Sequence, residues 1–373
     1  MTNSKPLKIL HISESYGWSG GANQALHLAK NLNDKGHINY IASPKNGSLF
    51  IKAKENSINT IDFTPKSKSA ILDGFKLSKI IDEINFNIIH AHHPTAHNAS
   101  VVAKIFSKSN PILVVSRRVT HKLPKNIFAK FKYKTKNVNA YIAVCKYVKN
   151  MLIDYGIDEK RIFVVYSGVD KNRFFKKTPD LNFKKSLGIK ENEIVISLIG
   201  NFSHDKGQHI LIEALAILEK KGYRFSVIFA GRDTDSTKLK EMFLNKISVN
   251  KGIFLGLRDD VEKILNITDI SINAAIKGEA LSGSIRESLA CGVPSIASNI
   301  GGNSEIVKDG ENGFLFEPGN FEELSQKIEK LINDKKIVEK FSNNAIKTID
   351  ENFTIETMSQ KTLDIYLNLL NKY

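Results

Sequence analysis

Residues 278–299 carry the densest set of side chains suited to binding a phosphorylated ligand. Glu279 supplies a carboxylate, and Glu287 follows it inside a predicted helix. Three small residues form a turn in front of that helix: Ser282, Gly283 and Ser284. Because the first N–H groups of a helix lack intrahelical partners and carry partial positive charge, such a turn suits a phosphate. The pattern places Glu279 near a substituent of the phosphate and Glu287 near ribose hydroxyls.

Glu287 also has a purely structural interpretation. Ser284 and Glu287 have the spacing of a capping box at a helix N terminus. In that arrangement the two side chains bind each other's backbone N–H groups, and Glu287 contacts no ligand. The sequence alone leaves both interpretations open.

A lysine occupies a comparable position after an earlier predicted strand. The strand ends at Gly200, Asn201 starts a short loop, and Lys206 precedes Gly207 at the start of the next helix. An ammonium group beside a helix N terminus stabilises the negative charge of a departing diphosphate. Taken alone, Lys206 also fits an ordinary surface lysine, the commonest position for this residue type.

Two features nearer the N terminus also follow predicted strands. Gly20 and Gly21 separate the first strand from the first helix, and two glycines allow a ligand to approach the backbone closely. Four histidines cluster at the end of another strand: His90, His92, His93 and His97. Zinc would need three or four converging ligands, and neither Cys nor a carboxylate cluster accompanies these histidines. We therefore expect no metal here, and a structural role for a strand histidine stays open.

Several segments occur together in the order of a known enzyme family. The pair Glu279 and Glu287 is followed by CGVPSIAS from Cys291, GGNSEIV from Gly301 and DGENGFLF from Asp309. This arrangement resembles family 4 glycosyltransferases of the GT-B fold. The resemblance implies that Glu279 contacts the donor sugar and that Glu287 binds the nucleotide ribose.

The resemblance also implies roles for the other candidate residues. It implies three catalytic residues: Glu279, His92 and Lys206. It implies a donor-binding set: Gly20, Gly21, Gly200, Asn201, Lys206, Ser282, Gly283, Ser284 and Glu287. His92 is favoured because it ends its strand facing the cleft, with His90 two residues earlier on the same face. Asn201 stands where the family usually has an arginine, and this departure weakens the clamp on the diphosphate.

The resemblance implies no metal ion and no cofactor besides the nucleotide-sugar co-substrate. Asp233–Asp235 superficially matches the metal-binding motif of another glycosyltransferase fold. It follows a predicted strand in a part of the chain where GT-B enzymes use no metal. We therefore interpret it as a polar loop.

The elements that must position these residues form a repeating pattern. Short apolar runs alternate with helical patterns, which is typical of parallel α/β sheets, and the pattern restarts after a polar stretch at 174–192. We predict the GT-B form of the α/β class, with two Rossmann-like doubly wound domains facing a central cleft. Residues 1–178 would bind the acceptor and 179–352 the nucleotide sugar. A helix over 353–373 would pack back on the N-terminal domain.

Composition excludes several classes of protein. The chain has 373 residues, of which 42% are hydrophobic and 9 are proline, so a mainly disordered or collagen-like chain is excluded. No apolar run approaches the roughly 18 to 20 residues that span a bilayer, and no secretory signal pattern is present. Two distant cysteines, Cys145 and Cys291, argue against a disulfide scaffold. We expect a cytoplasmic protein.

Positive charge is concentrated in the first half of the chain. The first 180 residues contain 29 Lys and Arg against 12 Asp and Glu, a net charge of +17, whereas the remainder has −2. Residues 117–136 are the densest basic segment, with Phe128, Phe131 and Tyr133 among the cations. Such a segment suits an anionic membrane surface, so we expect peripheral binding to the inner face of the cytoplasmic membrane. A simple solvated basic face is the alternative, and no nucleic-acid-binding signature accompanies the charge.

The family resemblance implies a retaining, metal-independent glycosyltransferase of the hexosyltransferase type. It would move a sugar from a nucleotide-diphosphate donor to a hydroxyl of a glycan or lipid-linked acceptor, in cell-surface polysaccharide or lipopolysaccharide biosynthesis. Two alternatives share the fold: a sugar-nucleotide epimerase and a catalytically silent scaffold protein. A Rossmann oxidoreductase is disfavoured, since no G-x-G-x-x-G motif follows the first strand.

Overall fold

The computed structural model describes residues 5–66 and 69–372, apart from the side chain of Phe128. Within them the chain forms two compact units: the first runs to Gly168 and resumes at Ile355, and the second is Val169–Thr354. The sequence pattern placed the first boundary after residue 178. Residues 169–178 lie in the second unit, to which they are tied by contacts such as the hydrogen bond from Lys177 N to Asn266 Oδ1. Residues 1 and 373, where the predicted domain spans begin and end, lie outside the described residues.

Seven parallel strands form the sheet of the first unit. They are β1 (Lys8–Ile12), β2 (Ile38–Ser43), β3 (Asn59–Asp62), β4 (Ile88–Ala91), β5 (Ile112–Arg117), β6 (Ala140–Ala143) and β7 (Ile162–Val164). The helices between them are α1 (Gly20–Asp34), α2 (Ser48–Glu55), α3 (Ala70–Ile84), α4 (Pro94–Phe106), α5 (Ile127–Lys134) and α6 (Lys146–Asp154). The order across the sheet is β3-β2-β1-β4-β5-β6-β7. Strands β4, β5 and β6 are buried at every residue, as expected for a parallel sheet covered by helices.

Six parallel strands form the sheet of the second unit. They are β8 (Ile194–Ile199), β9 (Phe225–Ala230), β10 (Lys251–Phe254), β11 (Ile270–Asn273), β12 (Ser295–Ser298) and β13 (Gly313–Phe316). The helices are α7 (Leu181–Ser186), α8 (Gln208–Lys220), α9 (Thr237–Leu244), α10 (Val261–Asn266), α11 (Gly283–Ala290), α12 (Asn303–Ile306), α13 (Phe321–Asn333) and α14 (Lys335–Asn352). The order across the sheet is β10-β9-β8-β11-β12-β13. These two sheets confirm the prediction of two doubly wound, Rossmann-like units.

The last helix, α15 (Ile355–Lys372), packs on the first unit. Its buried face includes Tyr366 and Leu369, which join a core with Ile9 of β1 and Val114 of β5. The helix therefore completes the hydrophobic core of a sheet whose strands lie more than 190 residues earlier in the chain. None of the described helices is both long and apolar enough to cross a membrane.

In each sheet the strand order reverses at one point, between β1 and β4 in the first unit and between β8 and β11 in the second. Ligands of open α/β sheets bind beyond the carboxyl ends of the strands at such points. Each residue of the predicted site lies on the loop or in the helix that follows one of these four strands. The topology thus accounts for why residues far apart in sequence are grouped in two places, one in each unit.

Candidate active site

Lys206 and Glu279 form an ion pair in the second unit. Lys206 ends a 3-10 turn in the loop after β8, and its Nζ contacts Oε1 of Glu279 in the loop after β11. The two strands are neighbours in the sheet, with Ile196 opposite Ile270, so the loops that follow them meet. The Glu279 side chain is 7% exposed and that of Lys206 is 39% exposed. The pair therefore presents a cation to solvent, backed by a buried carboxylate.

Two glycines allow the loops around this pair to touch. A Cβ on Gly207 would lie 1.8 Å from the carbonyl oxygen of Ala274, and its φ of +71° is in the left-handed region. A Cβ on Gly301 would lie 1.7 Å from the carbonyl oxygen of Glu279 itself, at a φ of +54°. Since neither position can accept a side chain without moving backbone, these contacts fix the loops that carry Lys206 and Glu279.

The turn before α11 leaves the start of that helix uncapped by side chains. Ser282 is the N-cap residue, and its hydroxyl accepts a hydrogen bond from Asn273 Nδ2 at 3.0 Å and contacts Ser284 Oγ at 3.1 Å. It makes no capping hydrogen bond to the helix. The capping-box interpretation of Ser284 and Glu287 is therefore wrong, because α11 begins at Gly283 and Glu287 lies in its second turn. The backbone N–H groups of the first turn stay available to a ligand.

Glu287 is a half-buried carboxylic acid facing that turn. Its Oε1 would lie 3.9 Å from a Cβ placed on Gly283. Burial raises the pKa of Glu287 to about 7, with Arg286 and Arg173 opposing the rise and Glu262 adding to it. A carboxyl group whose pKa is raised toward 7 destabilises the folded state when it is ionised. Such a raised pKa is typical of a functional site.

We expect Glu287→Gln to stabilise the protein above neutral pH. The folded-state pKa lies above the ordinary value of 4.5. The stability contributed by the protonated acid is therefore full below about pH 4.5 and is lost as the pH rises through about 7. At pH 8 the glutamine variant should be more stable by about 1–3 kcal/mol, and near pH 5 the difference should shrink toward zero.

Thermal unfolding at pH 5 and pH 8 measures this difference. The exposed Glu241→Gln in α9 is the control and should show no pH-dependent gain. A Glu287→Gln variant less stable than the parent at pH 8 would show that the ionised carboxylate has a stabilising partner.

Asn201 is turned toward the loop that follows β9. Its Oδ1 accepts a hydrogen bond from Arg232 N at 3.0 Å, and its carbonyl oxygen accepts one from Gln208 Nε2 at 3.0 Å. A Cβ on Gly231 would lie 2.4 Å from the carbonyl oxygen of Gly200, so these two loops are tightly packed. The position implied to carry an arginine thus holds a neutral amide bound to a neighbouring loop. Arg232 is a cation on that loop that the sequence analysis did not identify.

Three histidines of the first unit form a buried cluster. His90 and His92 stack with ring centroids 4.1 Å apart, which confirms that they share a face, and His11 of β1 stacks on His92 at 5.2 Å. Their exposed fractions are 1% for His11, 1% for His90 and 4% for His92. Burial lowers the pKa of His11 to about 4 and lowers the pKa of His90 and His92 well below the ordinary range. All three are therefore neutral at pH 7.

The hydrogen bonds of this cluster run in one direction. Arg118, which can only donate, bonds to His92 Nδ1 at 3.0 Å, so neutral His92 carries its proton on Nε2. That Nε2 donates to His11 Nδ1 at 3.0 Å, and His11 Nε2 in turn donates to Asn39 Oδ1 at 2.9 Å. Asn39 Nδ2 continues the series to Asn33 Oδ1 at 2.9 Å. We call this series the histidine relay; Arg118 at its start is partly exposed.

The same histidines have the spacing of a metal site. One ring nitrogen from each of His11, His90 and His92 lies within 4.8 Å of the others. However, His90 bonds to Tyr366 Oη at 2.5 Å and to Ser116 Oγ at 2.7 Å, so all six ring nitrogens of the cluster already have hydrogen-bond partners. A metal ion would have to displace these bonds, and the geometry favours the relay.

Gly21 lies beside His93, the residue after His92. Gly21 is in the first turn of α1, and a Cβ on it would lie 3.0 Å from His93 Nε2. Space beside Gly20 is open to at least 4 Å. His93 is half-buried, and its Nδ1 bonds to Ser13 Oγ at 2.9 Å. Sequence reasoning missed His93 because alternation along a strand favoured His92, yet β4 ends at Ala91 and the alternation ends with it.

The contacts of His97 and Glu14 are those of structural residues. His97 lies in α4 and packs its ring against Tyr133 and Tyr141 at 5.0 and 6.0 Å between centroids. Glu14 accepts hydrogen bonds from Thr95 N and Ala96 N, both at 2.9 Å, and so caps the start of α4.

Two family models match this chain, one in each half. The model described as "Glycosyltransferase Family 4" matches residues 18–173, and "Glycosyl transferases group 1" matches residues 179–348. Together they span nearly all of both units.

Curated relatives are glycosyltransferases of moderate identity. An uncharacterized glycosyltransferase of Methanocaldococcus jannaschii is 29% identical over 240 residues, which is 63% of this chain and 60% of that protein. N-acetyl-alpha-D-glucosaminyl L-malate synthase of Bacillus anthracis is 22% identical over 92% of both chains. An Escherichia coli UDP-Gal:alpha-D-GlcNAc-diphosphoundecaprenol alpha-1,3-galactosyltransferase is 28% identical over 57% of this chain and 56% of its own length.

Solved structures show the same fold. A glycosyltransferase from Rickettsia africae is 27% identical, with a TM-score of 0.89 over 99% of this chain and all of the other. HepE of Anabaena, solved with UDP-glucose, is 23% identical, with a TM-score of 0.81 over 97% of this chain and 100% of the other. The fold is thus GT-B, and together with the two family models it shows that the chain belongs to the family 4 glycosyltransferases.

Proposed function

We propose that the protein is a retaining hexosyltransferase. It moves a sugar from a nucleotide-diphosphate donor to a hydroxyl of a glycan or lipid-linked acceptor, in the synthesis of a cell-surface polysaccharide or lipopolysaccharide. The observation that carries the proposal is the Lys206–Glu279 ion pair at the switch point of the second sheet, where the loop before α11 also lies.

In this proposal the second unit holds the donor. Loss of the nucleotide diphosphate builds negative charge on its phosphates. Lys206 and the free N–H groups of residues 283–285 disperse that charge where it develops, which lowers the barrier. Glu279 accepts hydrogen bonds from sugar hydroxyls, and Glu287 accepts them from the ribose once it is ionised. Because this positive charge comes from protein groups, the mechanism needs no metal ion and no cofactor.

The first unit holds the acceptor and a histidine that contacts the sugar. His92 is the residue that the sequence predicts, and its burial requires that it exchange the bond to Arg118 for one to the sugar. His93 is a second candidate, since its Nε2 lies beside Gly21. The incoming hydroxyl attacks from the side of the leaving group, and a donor phosphate oxygen accepts its proton.

Relatives support a uridine nucleotide and a lipid-linked acceptor. The name of the E. coli relative specifies a UDP-sugar and a diphosphoundecaprenol acceptor, and HepE was solved with UDP-glucose. The basic segment 117–136 would bring the protein to the inner, cytoplasmic face of an anionic membrane, where such acceptors are presented.

Thermal unfolding with a panel of UDP-, GDP- and ADP-sugars tests the proposal. One donor should raise the Tm, because a ligand that binds only the folded state stabilises it. An epimerised sugar formed from that donor without any acceptor would instead favour the epimerase. Binding without transfer to any acceptor, and without slow hydrolysis, would favour the scaffold protein.

A further inference from the structure

A cavity of about 380 Å³ lies in the first unit beside the carboxyl end of β5. Val119 and residues 121–124 line it on one side, and the end of β5, the start of α4 and both turns of α5 contribute the other lining residues. We call it the β5 cavity. Four of its eleven lining residues are basic or imidazole side chains: Arg117, His121, Lys122 and Lys132. None of the eleven is acidic.

Arg117 is buried in the wall of the β5 cavity with a donor unused. Its side chain is 7% exposed, Nη1 donates to Tyr133 Oη at 3.3 Å, and Nη2 donates to the carbonyl oxygen of His121. Its Nε is buried without a hydrogen-bond partner. Burying a cation with an unpaired donor is costly unless a partner of opposite charge joins it.

Lys132 of α5 adds a second cation to the lining of the cavity. Its Nζ donates to the carbonyl oxygen of Pro94 at 2.6 Å. Burial lowers its pKa to about 8; the Glu14 carboxylate opposes this, and Arg117 adds to it. Among the described residues, neither Arg117 nor Lys132 has a carboxylate oxygen within 4.0 Å of its nitrogens. The cavity therefore combines the buried Arg117 cation with the half-buried Lys132 cation.

The remaining lining is mainly apolar. Val119, Leu123, Pro124 and Ala129 line the cavity, and Val119 is 40% exposed at its edge. Ile127 and Phe131, on the outer face of α5, are 76% and 60% exposed. A ligand that satisfies both the cations and these surfaces combines an anion with an apolar group.

We propose that the β5 cavity binds a phosphate ester whose organic group is an apolar chain. The phosphate accepts hydrogen bonds from Arg117 Nε and Lys132 Nζ, and the chain follows the apolar wall toward α5. This inference rests on the proposed acceptor role of the first unit and names the carrier end of the acceptor. A polyprenyl phosphate and the headgroup of a bilayer phospholipid share this chemistry, and the experiment separates them.

Calorimetric titration with farnesyl phosphate, without any donor, tests the proposal. Farnesyl phosphate should bind at least tenfold more tightly than farnesol or inorganic phosphate. Lys132→Gln should weaken it about tenfold, since a hydrogen bond to a charged group is lost. Lys130→Gln is the matched control, because it removes the same charge from an exposed position of α5 outside the cavity. It should change the Kd less than twofold.

Arg117→Lys guards against a folding defect, since it keeps the buried charge and removes Nε. This variant should still bind farnesyl phosphate severalfold more weakly than the parent. Equal affinity for farnesol and farnesyl phosphate would overturn the proposal, and so would equal losses from Lys130→Gln and Lys132→Gln. Tight binding to phosphatidylglycerol vesicles, with farnesyl phosphate unable to compete, would assign the cavity to bilayer lipid and overturn its role as an acceptor subsite. None of these results depends on the donor, so they are distinguishable from failure of the proposed transferase activity.

Discussion

Replacing Lys206 with alanine is expected to lower kcat by about 10²–10³-fold, the usual effect of removing one group that stabilises developing charge. The Lys206 ammonium group is partly exposed, whereas its partner Glu279 is buried. The positive charge of the pair therefore faces solvent. In the proposed mechanism, the turn before α11 already binds the diphosphate in the ground state. The contact with Lys206 strengthens as the bond to the sugar breaks, so kcat should fall more than donor affinity.

Glu279→Ala should abolish measurable transfer for a related reason. It removes the group proposed to orient the sugar, and it leaves Lys206 without its counter-ion. Because Glu279 is 7% exposed, its loss also leaves a polar gap in the loop that Gly301 contacts. Initial rates over a range of donor concentrations separate the effects on kcat and on KM.

A matched control is available in the same unit. Lys221 and Glu329 form a 2.6 Å ion pair between the end of α8 and α13, with side-chain exposures of 44% and 27%. Lys221→Ala breaks a Lys–Glu pair of the same type away from the β8 and β11 loops, at a cost in stability of under about 1 kcal/mol. It should leave kcat unchanged. If Lys206→Ala retained more than half of the parental kcat, the ion pair would be structural and the proposed donor site would be wrong.

The sheets and the donor loops were accessible from sequence because they follow local rules. Apolar runs and helical periodicity predict βαβ units, and parallel strands align their carboxyl ends. Lys206 and Glu279 lie 73 residues apart, and each comes shortly after a strand. The strand pattern placed each of them on a loop suited to a ligand, and the family resemblance assigned both to one site. The error at Glu287 was also local, because α11 starts two residues earlier than the capping box requires.

The histidine relay could not be predicted, because its members come from α1 and from four strands or strand ends. His11 lies on β1, His92 follows β4 and Arg118 follows β5. Which strands become neighbours is decided by the packing of the whole sheet. The residues around His11 show only the apolar pattern of a strand. That pattern does not indicate a hydrogen bond to His92, 81 residues later. The unpaired Nε of Arg117 in the β5 cavity is equally a property of packing.

The buried histidines predict a steep loss of stability of the first unit in acid. Burial lowers the pKa of His11, His90, His92 and His97 below the ordinary value of 6.5. The unfolded chain therefore binds these protons at a higher pH than the folded chain does. The stability is full above about pH 6.5 and is lost as the pH falls toward the folded values, about 4 for His11. Each such group adds about 1.4 kcal/mol per pH unit to the slope, so four give about 5.

Removing one histidine should remove one share of that slope. In His90→Gln the amide can keep one bond to Ser116 or Tyr366, both hydroxyl groups that donate or accept. Between about pH 4.5 and 5.5 the free energy of unfolding of this variant should change by about 1.4 kcal/mol per pH unit less than that of the parent.

Trp18, the single tryptophan of the chain, lies in the first unit, so its fluorescence in urea titrations reports on that unit. His204→Gln, at a side chain 77% exposed in the second unit, is the control and should leave the slope unchanged. An unchanged slope in His90→Gln would mean that His90 of the folded protein is already protonated on both ring nitrogens. The neutral, directional relay described above would then be wrong.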